Sequence, residues 1–170
     1  MKTEFIESIN SQINMLGHSF TTKPLVFGGA AMEHYGLRKR GHDIDIFVSE
    51  EDYAALAALH PEGRKDSWGD LGVVAGEFEI WRSIWKLDYA YFAEGSIAFE
   101  GFRVLSIEKL LLTKALALNS PAKQKQEADI DLILQYILKN NQRPEWVAFM
   151  NGHVKSYLAS PDGFVHNGEY

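Results

Sequence analysis

The sequence predicts an α+β fold: a mixed β-sheet flanked by helices, followed by a C-terminal helical half. Three observations carry this. Short apolar runs bounded by glycine or proline, the strand signal, lie before Ser106. Helix formers with apolar residues at three- and four-residue spacing dominate after it. No linker-like stretch separates the two parts, so the 170 residues read as one domain. Its sheet-containing half is 1–105, its helical half 106–158 and its tail 159–170.

The elements follow in order. Ile6, Ile9, Ile13 and Leu16 recur at helical spacing, with Thr3 as cap and Gly17 as stop. Residues 24–27 form a short buried strand ending at Gly28 and Gly29, which make a tight turn before a short helix over 30–35. A basic loop, 37–42, leads to a strand over 43–48. Ser49, Glu50, Glu51 and Asp52 make a capping box for a helix through Leu59. A polar loop spans 60–70. Strands at 71–75 and 77–84 meet at Ala75 and Gly76, and a short helix covers 88–93. A hairpin joins 97–99 to 102–105. Helices follow at 107–118, 122–139 and 144–158, the last with Pro144 in its first turn.

A hydrophobic share of 46% and a charged share of 24% exclude a disordered chain. No apolar run approaches the ~18 residues of a membrane span, and the N-terminus lacks a signal-peptide core. The expectation is a cytoplasmic protein without membrane contact. The absence of cysteine removes disulfides, thiol catalysis and cysteine-bound zinc. The histidines form no metal-binding motif. A net charge of −6 opposes nonspecific binding to duplex DNA, which depends on phosphate neutralisation.

Chemistry concentrates between residues 25 and 48. Gly28 and Gly29 after a buried strand let the backbone approach a ligand closely, next to free helix N–H groups. After thirteen intervening residues, Asp43 and Asp45 stand two apart on a strand, sharing a face with Cα atoms about 6.5–7 Å apart. Such carboxylates repel unless a cation lies between them. Mg²⁺ suits them, because it binds through one or two carboxylates plus phosphate oxygens. A wet strand face explains the Asp pair alone; the glycines and the pair together point to metal-assisted phosphate chemistry.

This stretch resembles the signature of the nucleotidyltransferase superfamily, the fold of DNA polymerase β. Gly28, Gly29, Asp43 and Asp45 fill its positions. Further likeness is to the bacterial AbiEii-type toxins and related stand-alone proteins, through Val104-Leu-Ser-Ile-Glu-Lys-Leu110, Lys114, and Lys125 to Asp129. The sequence departs from that subgroup at Lys39 and Gly41, where arginine and threonine are usual, and at Gln126, where an acid is. The resemblance implies an Mg²⁺-dependent enzyme, with Mn²⁺ as substitute, that moves NMP from an NTP to an RNA end, a protein hydroxyl or a small molecule. It also implies a toxin's role with an antitoxin partner. Asp43 and Asp45 would hold metal; Gly28, Gly29, Arg38, Arg40, Lys114 and Lys125 would contact the nucleotide.

Lys114 also stands out by position, in the apolar stripe of its helix, where it must snorkel or reach an internal acidic or phosphate partner. Lys125 and Asp129, four apart, also read as a surface ion pair. For a third carboxylate, Glu79 between Phe78 and Ile80 matches the apolar-acid-apolar pattern of the Asp pair. Glu77 follows a turn, and Asp88 falls where an N-cap explains it. A second reading of the whole is a catalytically silent copy of the fold acting as a binding protein.

Overall fold

The computed structural model describes residues 2–66, 70–119 and 122–140. The helix expected at 144–158 and the tail lie outside them. The chain divides into two compact units, one ending at Ser106 and the other starting at Ile107.

The first unit opens with α1 (Lys2–Met15), which buries Ile9 and Ile13 and stops before Gly17 at φ +63°. Thr3 lies inside this helix, not at its cap. Next come β1 (Leu25–Val26), α2 (Gly28–His34), β2 (Ile44–Phe47) and α3 (Glu50–Leu59). Contrary to the sequence reading, α2 starts at the glycines, with Phe27 as its N-cap residue. The capping box at α3 forms as expected, the Asp52 N–H donating to Ser49 Oγ at 3.1 Å. The Asp52 carboxylate does more than cap. It accepts from His18 Nε2, the Thr21 N–H and the Thr21 hydroxyl, each at 2.9 Å, and from the Ser49 hydroxyl at 2.7 Å. Burial alone pushes this carboxyl upward. The Thr21 amide, Ser49, His18 and the Thr21 hydroxyl together outweigh it and hold the group at about 2.

Beyond a single 3₁₀ turn (Pro61–Gly63) lie β3 (Gly72–Ala75) and β4 (Phe78–Trp81), a hairpin around Gly76. The strand expected over 77–84 is broken. Ser83 and Ile84 form β5, which pairs with β6 (Leu87–Asp88) in a separate ribbon. Its turn residues, Trp85 and Lys86, have φ of 54° and 61°. Each costs an L-residue roughly 1–2 kcal/mol. Asp70 offsets this by accepting from both turn amides and from the Ser83 hydroxyl. Asp88 caps α4 (Tyr89–Ala93), accepting from the Tyr91 N–H at 3.0 Å. β7 (Ile97–Ala98) and β8 (Arg103–Val104) complete the unit.

The main sheet is mixed, in the order β3-β4-β2-β1-β8-β7, with helices flanking it. β2 runs antiparallel to β1 and parallel to β4. Phe27, Phe47 and Phe92 stack at centroid distances of 4.2 and 4.3 Å, tying β2 to α4 and to the start of α2. Burial of such a side chain contributes about 1.5–3 kcal/mol.

In the second unit, α5 (Ile107–Leu116) runs through a 3₁₀ turn (Ala117–Asn119) toward α6 (Lys123–Asn140). Ile130, Ile133 and Ile137 supply the buried stripe of α6. α5 is buried nearly all round, including Glu108, Lys109, Thr113 and Lys114. Among the described residues, no helix is long and apolar enough to cross a membrane.

Candidate functional site

The pairing of β2 with β4 brings two of the expected site residues together. In that parallel ladder Asp45 and Glu79 are register partners. Neighbouring strands lie about 4.8 Å apart and partnered residues share a face, so both acids project from the same side of the sheet. Both are half-buried, while the flanking Ile44, Ile46, Phe78 and Ile80 are buried. This apolar flanking anchors each acid on a strand that cannot shift register without exposing its core face.

Gly28 meets the same site from β1. It has φ +58°, and a Cβ added there would overlap the Asp45 carboxylate. Only glycine satisfies both the backbone angle and the space. The Phe27 N–H donates to the Asp45 carbonyl at 3.0 Å, fixing the turn to β2. At Gly29 the nearest neighbours of an added Cβ would be Gly41 N, Arg38 Nη1 and Arg40 Cα, at 3.7–3.8 Å. The basic loop therefore folds back over the glycines.

Asp43 lies one residue before β2 and is exposed, which shortens the strand expected over 43–48. Asp43, Glu77 and Glu79 line one open cleft of about 310 Å³, with His42 and Val74 at its sides. Glu77 accepts from Gln12 Nε2 at 3.1 Å and sits outside the strand. Glu79 Oε2 is 2.8 Å from Lys65 Nζ, a neighbour to which no local signal points. Asp88 serves as the α4 cap.

The basic residues part company. Arg38 donates to the Lys39 carbonyl at 2.9 Å. Arg40 donates to Ser8 Oγ at 2.9 Å and reaches Glu33 at 3.4 Å. These arginines line a larger cavity, about 620 Å³, with Phe5, His34 and Tyr35. None of the three carboxylates is among its described lining. Size alone favours that cavity, but the smaller cleft holds Asp43 and Glu79 and is the better candidate for chemistry. In the second unit, Lys114 has an internal acidic partner: its Nζ is 2.8 Å from Asp129 Oδ2, both side chains being buried. Asp129 thus pairs with Lys114, and Lys125 is exposed.

Among the described residues no three His, Asp or Glu side chains converge to hold an ion by themselves. Carboxylate oxygens are nonetheless the donors Mg²⁺ takes, and it commonly uses one or two of them with waters and phosphate oxygens completing the shell. Asp45 and Glu79 on one sheet face, and Asp43 lining the cleft with Glu79, offer such donors singly or in pairs.

No protein-family model and no curated protein sequence matches this chain. Among solved structures it is similar to an antigenic nucleotidyltransferase-like protein from Paracoccidioides brasiliensis. The identity is 16% and the TM-score 0.40, over 91% of this chain and 87% of that one.

Proposed function

We propose that this chain is a nucleotidyltransferase that uses a divalent cation to move NMP from an NTP to an acceptor hydroxyl. The observation that carries the reading is the register pairing of Asp45 with Glu79 beside the Gly28 turn. In the reaction the acceptor oxygen attacks the α-phosphorus, the bond from that phosphorus to the oxygen bridging to the β-phosphate breaks, pyrophosphate leaves, and the acceptor's proton passes to a cleft carboxylate. Asp43, Asp45 and Glu79 are the carboxylates from which Mg²⁺ would take one or two ligands, with waters and phosphate oxygens completing its shell; when bound it would neutralise phosphate charge and align the displacement. Gly28 admits a phosphate close to the backbone. Arg38, beside Gly29, adds positive charge where the NTP would lie. Glu79, on the open cleft, would take the acceptor's proton or complete the metal site. Lys125, being exposed, is available to a phosphate, whereas Lys114 is committed to Asp129.

The acceptor classes remain an RNA end, a protein hydroxyl and a small molecule, and the toxin role with an antitoxin partner rests on the resemblance alone. A second reading, a silent fold that binds a partner, is favoured by one observation: the Glu79 carboxylate already has a lysine counter-ion. Incubation with each labelled NTP, Mg²⁺ and a cell extract separates the two. Wild type should label a discrete species, while Asp45→Asn and Glu79→Gln should reduce labelling by at least ~100-fold. Failure of wild type to bind any NTP with Mg²⁺ present, measured by calorimetry, would exclude the transferase.

A further inference from the structure

We infer that the cavity of about 620 Å³ bounded by α1, α2 and the basic loop binds a small aromatic anion, a planar ring carrying a phosphate or a carboxylate. Its described lining residues all belong to the first unit, and none of them lines the acidic cleft. The volume falls within the ~300–1,000 Å³ usual for small-molecule sites, which join apolar walls to a few convergent polar groups. Both parts are present here. One wall is aromatic: Phe5, His34 and Tyr35 line the cavity, and the His34 ring lies 5.6 Å from Phe5 and 5.1 Å from Tyr35 by centroid. Buried Phe102 backs Phe5 at 6.3 Å, and the Tyr35 hydroxyl donates to the Leu105 carbonyl at 2.9 Å. The rings are therefore held in place, and they offer faces and edges against which a ligand ring packs.

The polar part is basic, in a chain whose net charge is −6. Arg38, Lys39 and Arg40 stand against Glu4 and Glu33 in the described lining, three cations to two acids. Arg40 is the donor with unmet capacity. Its Nη2 donates to Ser8 Oγ at 2.9 Å and its Nε lies 3.4 Å from Glu33 Oε2, while Nη1 is buried and has no hydrogen-bond partner. A buried donor is costly to leave unmade, and a guanidinium bonds most strongly to an oxyanion. An anionic group seated at Arg40 supplies that acceptor, and Lys39, which is exposed, adds charge beside it. A neutral ring would leave the Arg40 donor unmet. A bare inorganic anion would leave the aromatic wall wet. Together the two parts select a molecule that carries both.

The test is calorimetric titration of the whole chain in EDTA, without nucleotide, using 1-naphthyl phosphate, 1-naphthoate, neutral 1-naphthol and inorganic phosphate. At least one aromatic anion should bind with a Kd below about 1 mM, and at least ~10-fold more tightly than 1-naphthol or inorganic phosphate. The tighter of the two identifies the anionic group. Lys39→Glu, a change at an exposed position, should weaken that probe about fivefold. Ser8→Phe should fill the cavity and abolish binding, with circular dichroism confirming that the helices remain. Glu79→Gln, in the cleft, should bind the probe as wild type does. Failure of wild type to bind either aromatic anion overturns the proposal, and so does 1-naphthol binding as tightly as they do. Binding that Lys39→Glu leaves unchanged, or that Glu79→Gln abolishes, places the ligand elsewhere and overturns it too. The transferase reading, which requires metal and NTP, is tested separately by the labelling experiment.

Discussion

Replacing Lys114 with methionine reverses what the helical wheel suggests. On the wheel, Met fills an apolar stripe at little cost, but the structure gives Lys114 a buried acidic partner. The Nζ–Oδ2 distance to Asp129 is 2.8 Å, and the side chains are 8% and 2% exposed. At an effective dielectric of about 20 the direct attraction is about 6 kcal/mol, most of it offset by the cost of taking both charges out of water. Removing Lys114 withdraws this attraction from a buried carboxylate, and breaking a buried pair costs ~3–5 kcal/mol. With an m-value of about 2 kcal/mol/M, the urea midpoint should fall by roughly 1.5–2.5 M. Circular dichroism in urea at pH 7 measures this directly. The double variant Lys114→Met/Asp129→Leu supplies the control, because a pair replaced by apolar groups is often neutral or stabilising. It should recover most of the loss. A single variant within ~0.5 M of wild type, or a double variant no better than the single, would refute a buried pair.

Two further variants test the scaffold. Asp52→Asn should cost about 2 kcal/mol at pH 7, because a folded value of about 2 against 3.8 unfolded is worth that much. The contribution is full above the unfolded value and disappears as pH falls through the folded one, so the variant's stability should vary less than wild type's between pH 4 and 2; parallel acid-unfolding curves would refute the hub. Gly28→Ala should lose labelling activity and at least ~1–2 kcal/mol, since Cβ collides with Asp45 and the backbone angle disfavours any L-residue; an active, fully stable variant would show that the turn is elsewhere.

Much of the architecture was legible because its signals are local. The Ser49 box, the Asp88 cap and the turn at Gly76 each depend on residues within a few positions, and each forms where the sequence places it. What escaped depends on distant partners. Nothing in Ile84 to Leu87 announces a turn, since Trp and Lys lack turn propensity; the clamp that makes it possible is Asp70, fifteen residues before Trp85. Asp52 reads as an acid suited to a helix N-terminus, and its role in pinning His18 and Thr21 is invisible without the fold. The alternating pattern put Asp45 and Glu79 on strands, but only the parallel ladder shows them as partners. For Asp129 the four-residue spacing proposed Lys125, and tertiary packing supplied Lys114. Lys65 carried no signal, because its only qualification is the loop path that brings it to β4.

That loop path also covers part of a sheet border. β3 is an outer strand of the main sheet, and an uncovered outer strand offers free N–H and C=O groups to any other chain. Here the segment ending at Lys65 occupies part of that border, through the Arg64–Val73 bridge and the Lys65 N–H bond to Gly72. Gly63 lets the segment lie this close, because a Cβ there would overlap the Val74 carbonyl oxygen. Gly63→Val should therefore lift the segment away and convert a guarded border into an adhesive one. Light scattering at rising concentration would register self-association in that variant, and a monodisperse solution would show the border to be protected by other means. One short segment thus joins the counter-ion of the cleft to the guard of the sheet, so the chain cannot loosen the first without risking the second.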